Sequence, residues 1–268
     1  PGIDVEVAAA LPSQRNAEFA RWLCDVATTV RGVYGELPTA AVRVTLLPGG
    51  HRGWNTGRPV AFGRVRRTAV PSIELFADLD RPIEDYYGDW TAMHEFSHLL
   101  LPRIHGRQRW VGEGFASYYQ NVLMARAGFY TPELGIRYLL EGLERGAASR
   151  PDLSPNEAAV AGISAARMKI YWSGAALFLL ADVQLRERSG GEESLDTVLG
   201  RLRNCCLPTR ERWTATRLFQ QLDALLDEPV FMPLYREHAD SAGFPDVQPA
   251  LDQAQIVRAI FAVRTSTH

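Results

Sequence analysis

Cysteine is scarce in this sequence: the chain has only Cys24 and the adjacent pair Cys205 and Cys206. No CxxC pair and no even set of cysteines is present, which excludes a thiolate zinc site and a disulfide-stabilised scaffold as expectations. Neighbouring cysteines rarely bridge each other, so we expect this pair to be buried as small apolar residues.

Lysine is almost missing as well, because all but Lys169 of the 29 basic residues are arginine. The formal net charge is -2 at pH 7, so no global field attracts nucleic acid or an anionic membrane. The arginine bias indicates a GC-rich coding genome rather than a phosphate-binding role. No apolar run approaches the roughly 18 residues that a membrane span needs, and no signal peptide precedes the first elements.

Hydrophobic residues make up 46% of the 268 residues and charged residues 22%, an ordinary globular composition. Strand patterns come first along the chain, and helical patterns follow after residue 80. We therefore predict an α+β fold in a single domain, 1–268, with the sheet and the active-site helices in 1–128 and a helical subdomain in 129–268. The predicted strands are 4–7, 42–47, 60–66 and 72–76.

The strongest chemical signal is the segment His94-Glu95-Phe96-Ser97-His98, which fits the pattern H-E-x-x-H. It lies in a predicted helix, 90–101, where side chains four residues apart share one face. Two imidazoles placed in this way reach one metal ion at about 2.0–2.1 Å. Glu95 then lies beside the metal, where it accepts a proton from metal-bound water. The alternative is a chance match, for which we estimate roughly 1% at this composition.

A catalytic zinc ion needs a third protein ligand and a position left for water. The next predicted helix, 111–126, offers Glu113 among apolar and aromatic residues, where a carboxylate is costly unless it is paired or coordinated. Gly112 and Gly114 would let another backbone approach closely, and 102–109 is long enough to return this helix beside the first. The alternative for Glu113 is an ordinary acidic residue at a helix start.

These motifs resemble the gluzincin metallopeptidases, in which H-E-x-x-H is followed by a segment like Trp110-Val111-Gly112-Glu113-Gly114. Tyr171-Trp172-Ser173-Gly174 and the long helix after it resemble the glycyl aminopeptidase family, so the likeness covers roughly 90–238. The resemblance implies a thermolysin-like catalytic domain, one zinc ion, and aminopeptidase-like hydrolysis of a peptide or protein substrate. Family members are often exported in bacteria, which implies a periplasmic or secreted location.

The resemblance also assigns roles to single residues. His94, His98 and Glu113 would be the zinc ligands, and Glu95 the general base. Tyr171 matches a tyrosine that stabilises the oxyanion of the tetrahedral intermediate, although a packed aromatic residue at a helix start is the alternative.

Two features depart from the family pattern. The spacing from His98 to Glu113 is shorter than usual, and the strand that should carry an acidic residue for the substrate's free amine reads Phe62-Gly63-Arg64-Val65-Arg66-Arg67. Glu74 is the nearest other acid, and strand alternation allows its side chain to face either the site or solvent. Two other functions therefore stay open, namely a non-catalytic zinc-containing peptide-binding domain and a zinc hydrolase of a non-peptide substrate.

Overall fold

The computed structural model describes residues 2–49 and 57–263, and its first part is a four-stranded sheet with one helix. The strands are β1 (Gly2–Val7), β2 (Ala41–Pro48), β3 (Val60–Arg66) and β4 (Ser72–Ala77), and α1 (Ser13–Arg31) follows β1. All four predicted strands are confirmed. Their order is β1-β2-β4-β3, and only β3 runs antiparallel to its neighbour, so the sheet is mixed and β3 is an edge strand.

The remainder of the described chain is mainly helical, as predicted. The helices are α2 (Ile83–Tyr87), α3 (Thr91–Ser97), α4 (Arg109–Arg126), α5 (Pro132–Ala148), α6 (Pro155–Ala161), α7 (Ile163–Arg188), α8 (Leu195–Cys206), α9 (Ala215–Asp223), α10 (Phe231–His238), α11 (Gln248–Leu251) and α12 (Ala254–Phe261). None of the helices in the described residues is long and apolar enough to cross a bilayer.

The helix that carries H-E-x-x-H is shorter than predicted. Helix α3 ends at Ser97, and His98–Leu100 continue as a 3-10 turn before Pro102. The Asp89 carboxylate accepts a hydrogen bond from the N–H of Thr91 at 2.8 Å, and it also forms an ion pair with Arg58 at 2.9 Å. Asp89 therefore fixes the start of α3 and ties it to the chain that leads into β3.

Several short elements were not predicted from the sequence patterns. Helix α2 and helix α6 are only five and seven residues long, and a two-stranded parallel sheet pairs β5 (Arg103–Ile104) with β6 (Arg212–Trp213). Two-residue strands have no readable periodicity, and this pair forms between segments that are far apart in sequence. The small sheet holds the turn between α3 and α4 against the helical part.

Helices α4 and α7 cross at a pair of glycines. A Cβ atom added to Gly114 would lie 2.2 Å from the Cα of Gly174, and one added to Gly174 would lie 2.2 Å from the carbonyl oxygen of Trp110. The close approach predicted at Gly114 is thus confirmed. The same prediction for Gly112 is wrong, because a Cβ atom there would meet Ile104 at an ordinary 3.8 Å.

The glycine crossing gives a stability prediction. We expect Gly114→Ala to lower the free energy of unfolding by about 1–3 kcal/mol or more, because the added methyl group forces α4 and α7 apart. Gly112→Ala is the matched control, since it has room for the methyl group and gains helix propensity. Urea unfolding of both variants measures the difference, and equal stabilities would contradict the crossing geometry.

The cysteine pair differs from its prediction. Cys205 and Cys206 form a disulfide, and Cys205 is exposed rather than buried. Cys206 is the last residue of α8, and Leu207 is already extended. The prediction of two buried free thiols is therefore wrong.

Candidate metal centre

The three residues predicted to bind metal lie around one point. Nε2 of His94 is 3.4 Å from Oε2 of Glu113, and Nε2 of His98 is 3.5 Å from the same oxygen. All three donor atoms lie within 4.8 Å of one another. Ligands at 2.0–2.1 Å around a tetrahedral ion are about 3.3–3.4 Å apart, so these two nitrogen–oxygen distances match the edges of such a tetrahedron.

The donor chemistry also fits zinc. Two imidazole nitrogens and one carboxylate oxygen form a known ligand set for catalytic zinc, which leaves a fourth position for water or substrate. In this chain His94 and His98 come from α3 and its 3-10 continuation, and Glu113 comes from α4. The short turn between these helices, pinned by β5 and β6, is what brings the carboxylate back to the imidazoles.

The charges in this cluster favour a cation. Burial raises the pKa of Glu113, but the charge of His98 and hydrogen bonds to both imidazoles outweigh it and hold the pKa well below its usual range. Burial lowers the pKa of His94, yet the bond to Glu113 and the neighbouring carboxylates leave it raised. A metal cation held by these donors would supply the positive charge that the Glu113 carboxylate favours, with the histidines as neutral ligands.

Gln120 orients His94. The Oε1 atom of Gln120 lies 2.8 Å from Nδ1 of His94 in a buried position, so the amide oxygen accepts from Nδ1–H. This tautomer leaves the lone pair of Nε2 aimed at the donor cluster. Gln120 was not predicted; the available signal is its place two turns after Glu113 on the same face of α4.

The Gln120 contact gives a metal-binding prediction. We expect Gln120→Leu to weaken zinc binding by about 10–100-fold, because His94 loses the acceptor that fixes its ring and tautomer. Gln120→Glu keeps an acceptor at the same reach and should restore most of the affinity. Competition against a chromophoric chelator measures both, and wild-type affinity in Gln120→Leu would contradict the role.

Glu95 is placed by the edge strand. Its side chain lies against β3, where a Cβ atom added to Gly63 would lie 2.5 Å from Cγ of Glu95. Only glycine at this position lets the strand pass so close to the carboxylate. Burial raises the pKa of Glu95, which makes the carboxylate a stronger proton acceptor, as a general base requires.

Tyr171 reaches the same site from α7. Its ring stacks on the His94 ring with centroids 5.8 Å apart and an interplanar angle of 18°. Burial, followed by the charges of Glu113 and Glu95, raises its pKa well above the usual value. The hydroxyl therefore stays protonated and is able to donate a hydrogen bond.

Glu95, His98, Glu113 and Tyr171 line one cleft of about 490 Å³, with Gly63 on its strand side. Glu74 does not line this cleft, since its carboxylate pairs with Arg64 and Arg66 on the neighbouring edge strand. Among the described residues, the acidic side chains that line the cleft are thus Glu95 and Glu113. The structure brings all five predicted site residues together, while their catalytic and ligand roles stay predictions.

Comparison with known proteins agrees with this architecture. Residues 101–165 match the family model of the M61 glycyl aminopeptidases, and no curated protein sequence matches the chain. This family match confirms the resemblance to gluzincin metallopeptidases that the motifs indicated.

Solved structures show the same fold. An aminopeptidase N family protein from Idiomarina loihiensis has a TM-score of 0.68 at 17% identity, over 93% of this chain and 46% of that one. The M1 zinc metallopeptidase from Deinococcus radiodurans has a TM-score of 0.56 at 16% identity, over 90% and 48%. A mutant of it bound to a Tyr-Ser-Ala substrate scores 0.55 at 17% identity, over 90% and 48%. The chain therefore has a zincin fold and spans about half the length of these relatives.

Proposed function

We propose that this chain, with the fold of the gluzincin metallopeptidases, is a zinc-dependent peptidase. The observation that supports this most is the spacing of the His94, His98 and Glu113 donors, 3.4 and 3.5 Å across the two imidazole–carboxylate edges. Glu95 and Tyr171 line the same cleft. The site thus combines a metal-binding set, a base and a hydroxyl donor around one reaction centre.

When bound, zinc supplies Lewis-acid polarisation of the scissile carbonyl and a lowered pKa for an attacking water. Glu95 takes the proton of that water and delivers it to the leaving amine. The Tyr171 hydroxyl donates to the oxygen on which negative charge develops, an interaction that matters most in the transition state. Gln120 keeps His94 in the tautomer that leaves Nε2 free.

The edge strand β3 is the proposed binding surface for the substrate backbone. Within residues 2–49 and 57–263 it is paired only with β4, so its outer edge offers N–H and C=O groups to an extended peptide. Gly63 brings this edge next to Glu95. A peptide paired with β3 would therefore pass directly over the base and the metal-binding set.

Aminopeptidase specificity is the finer part of the proposal. Recognition of a free amine needs a carboxylate, and in the described residues the acids that line the cleft are the base and a metal ligand. A pair of peptides that differ only by N-terminal acetylation tests this point. Cleavage of the free peptide alone supports an aminopeptidase, and equal cleavage supports an endopeptidase.

The experiment for the function itself is hydrolysis of a peptide library by the purified protein with zinc, with chelator, and with zinc restored. We expect cleavage that is lost with chelator and regained with zinc. Bound zinc without cleavage of any peptide would favour the peptide-binding domain. Cleavage of other carbonyl compounds alone would favour the non-peptide hydrolase.

A further inference from the structure

Three arginines line the cleft that holds the predicted catalytic residues. Arg103 in β5 and Arg212 in β6 are register partners in the small parallel sheet, and both side chains are exposed. Arg109, on the first turn of α4, lines the same cleft with them. Partners in adjacent strands point to the same side of a sheet, so the Arg103 and Arg212 guanidinium groups share one wall.

No acidic side chain in the described part of the chain neutralises the charges of these three arginines. Within residues 2–49 and 57–263, no carboxylate forms an ion pair with Arg103, Arg109 or Arg212, and Glu211 is paired with Arg217 instead. Arg109 uses its Nε to donate to the carbonyl oxygen of Gly106, which leaves its outer nitrogens as donors.

The other two arginines of the cleft are already engaged. Arg64 pairs with Glu74, and Arg67 donates to the carbonyl oxygens of His98 and Leu101. Besides Arg67, which these carbonyl groups hold, Arg103, Arg109 and Arg212 are therefore the arginines of the cleft whose guanidinium groups no described carboxylate pairs with.

We propose that Arg103, Arg109 and Arg212 bind a carboxylate of the substrate, so that the cleft selects peptides with an acidic group near the scissile bond. This inference rests on the proposed peptidase function. Guanidinium groups present planar donors that match a carboxylate, and a cleft lined by one sign of charge concentrates the opposite sign. The carboxylate has two sources, an acidic side chain or a free C-terminus.

The first test measures peptide binding to a variant that is expected not to cleave the peptide. The Glu95→Gln variant, loaded with zinc, is titrated with fluorescent peptides that differ as Glu against Gln, and as free C-terminal acid against amide. We expect at least one acid to bind about tenfold more tightly than its neutral partner, as charge-assisted hydrogen bonds provide. The pair that shows the difference identifies the source of the carboxylate.

Two double variants, each made in the Glu95→Gln background, then locate the effect. Arg103→Gln with Arg212→Gln removes two charges from the cleft, whereas Arg107→Gln with Arg210→Gln removes two exposed charges outside it. We expect the acid preference to fall about tenfold in the first variant and to persist in the control. Equal binding of acidic and neutral peptides, or an unchanged preference in the first variant, would overturn the proposal.

A comparison of kcat/KM for acidic and neutral peptides separates this inference from the proposed function. If the active protein cleaves acidic and neutral peptides with equal kcat/KM, the carboxylate site is wrong and the peptidase stands. If acidic peptides bind preferentially and the preference depends on Arg103 and Arg212, but no peptide is cleaved, the carboxylate site stands and the peptidase function fails.

Discussion

Replacing Glu95 by glutamine should lower kcat for peptide hydrolysis by about 10²–10⁴-fold, the usual contribution of a general base. The amide has nearly the same shape as the carboxylate, so it still fits against Gly63 of β3. It does not accept the proton of the attacking water. Initial rates on a cleaved peptide, measured with saturating zinc, give the ratio to wild type.

The zinc content of the Glu95→Gln protein is measured in the same preparation as its rate. Glu95 is not one of the three converging donors, so the variant should keep stoichiometric zinc and wild-type unfolding. Glu84→Gln, an exposed change on α2, is the matched control and should keep full activity. If Glu95→Gln keeps more than about a tenth of the wild-type rate, Glu95 is not the general base.

The second large effect is expected from Glu113→Gln. It removes the carboxylate that contacts both His94 and His98, and we expect zinc affinity to fall by more than about 100-fold, beyond the loss for an orienting residue. The neutral amide is a weak zinc ligand. Activity at micromolar zinc should disappear with the metal.

The readout for Glu113→Gln is the zinc dependence of stability. A metal that binds only the folded state raises the melting temperature with concentration, so zinc should stabilise wild type and not the variant. Glu133→Gln, an exposed change in the first turn of α5, should respond to zinc like wild type. An identical zinc response in Glu113→Gln would show that this carboxylate is not a ligand.

The sequence was most informative where function depends on spacing within one helix. The separation of His94 and His98 predicts a shared face, and the donors lie at one point although α3 ends at Ser97. Glycine at position 114 predicted a close helix contact, and its partner Gly174 became visible only in the fold. Which backbone approaches a glycine depends on long-range packing, which has no local signal.

The same reason explains what was missed. The contact of Gln120 with His94 joins two helices, and the alignment of Arg103 with Arg212 joins two strands of two residues each. Neither pairing has a periodicity that the sequence displays. The pairing of Glu74 with Arg64 and Arg66 likewise depends on the register of β3 against β4, and it explains why this acid does not line the cleft.

Diffraction from a zinc-soaked crystal, recorded on both sides of the zinc absorption edge, locates the metal directly. The expected result is one anomalous peak at about 2.0–2.2 Å from Nε2 of His94, Nε2 of His98 and a carboxylate oxygen of Glu113. A peak bound by other residues, or a Glu113 side chain turned away from the two imidazoles, would contradict the metal centre and the hydrolysis that depends on it.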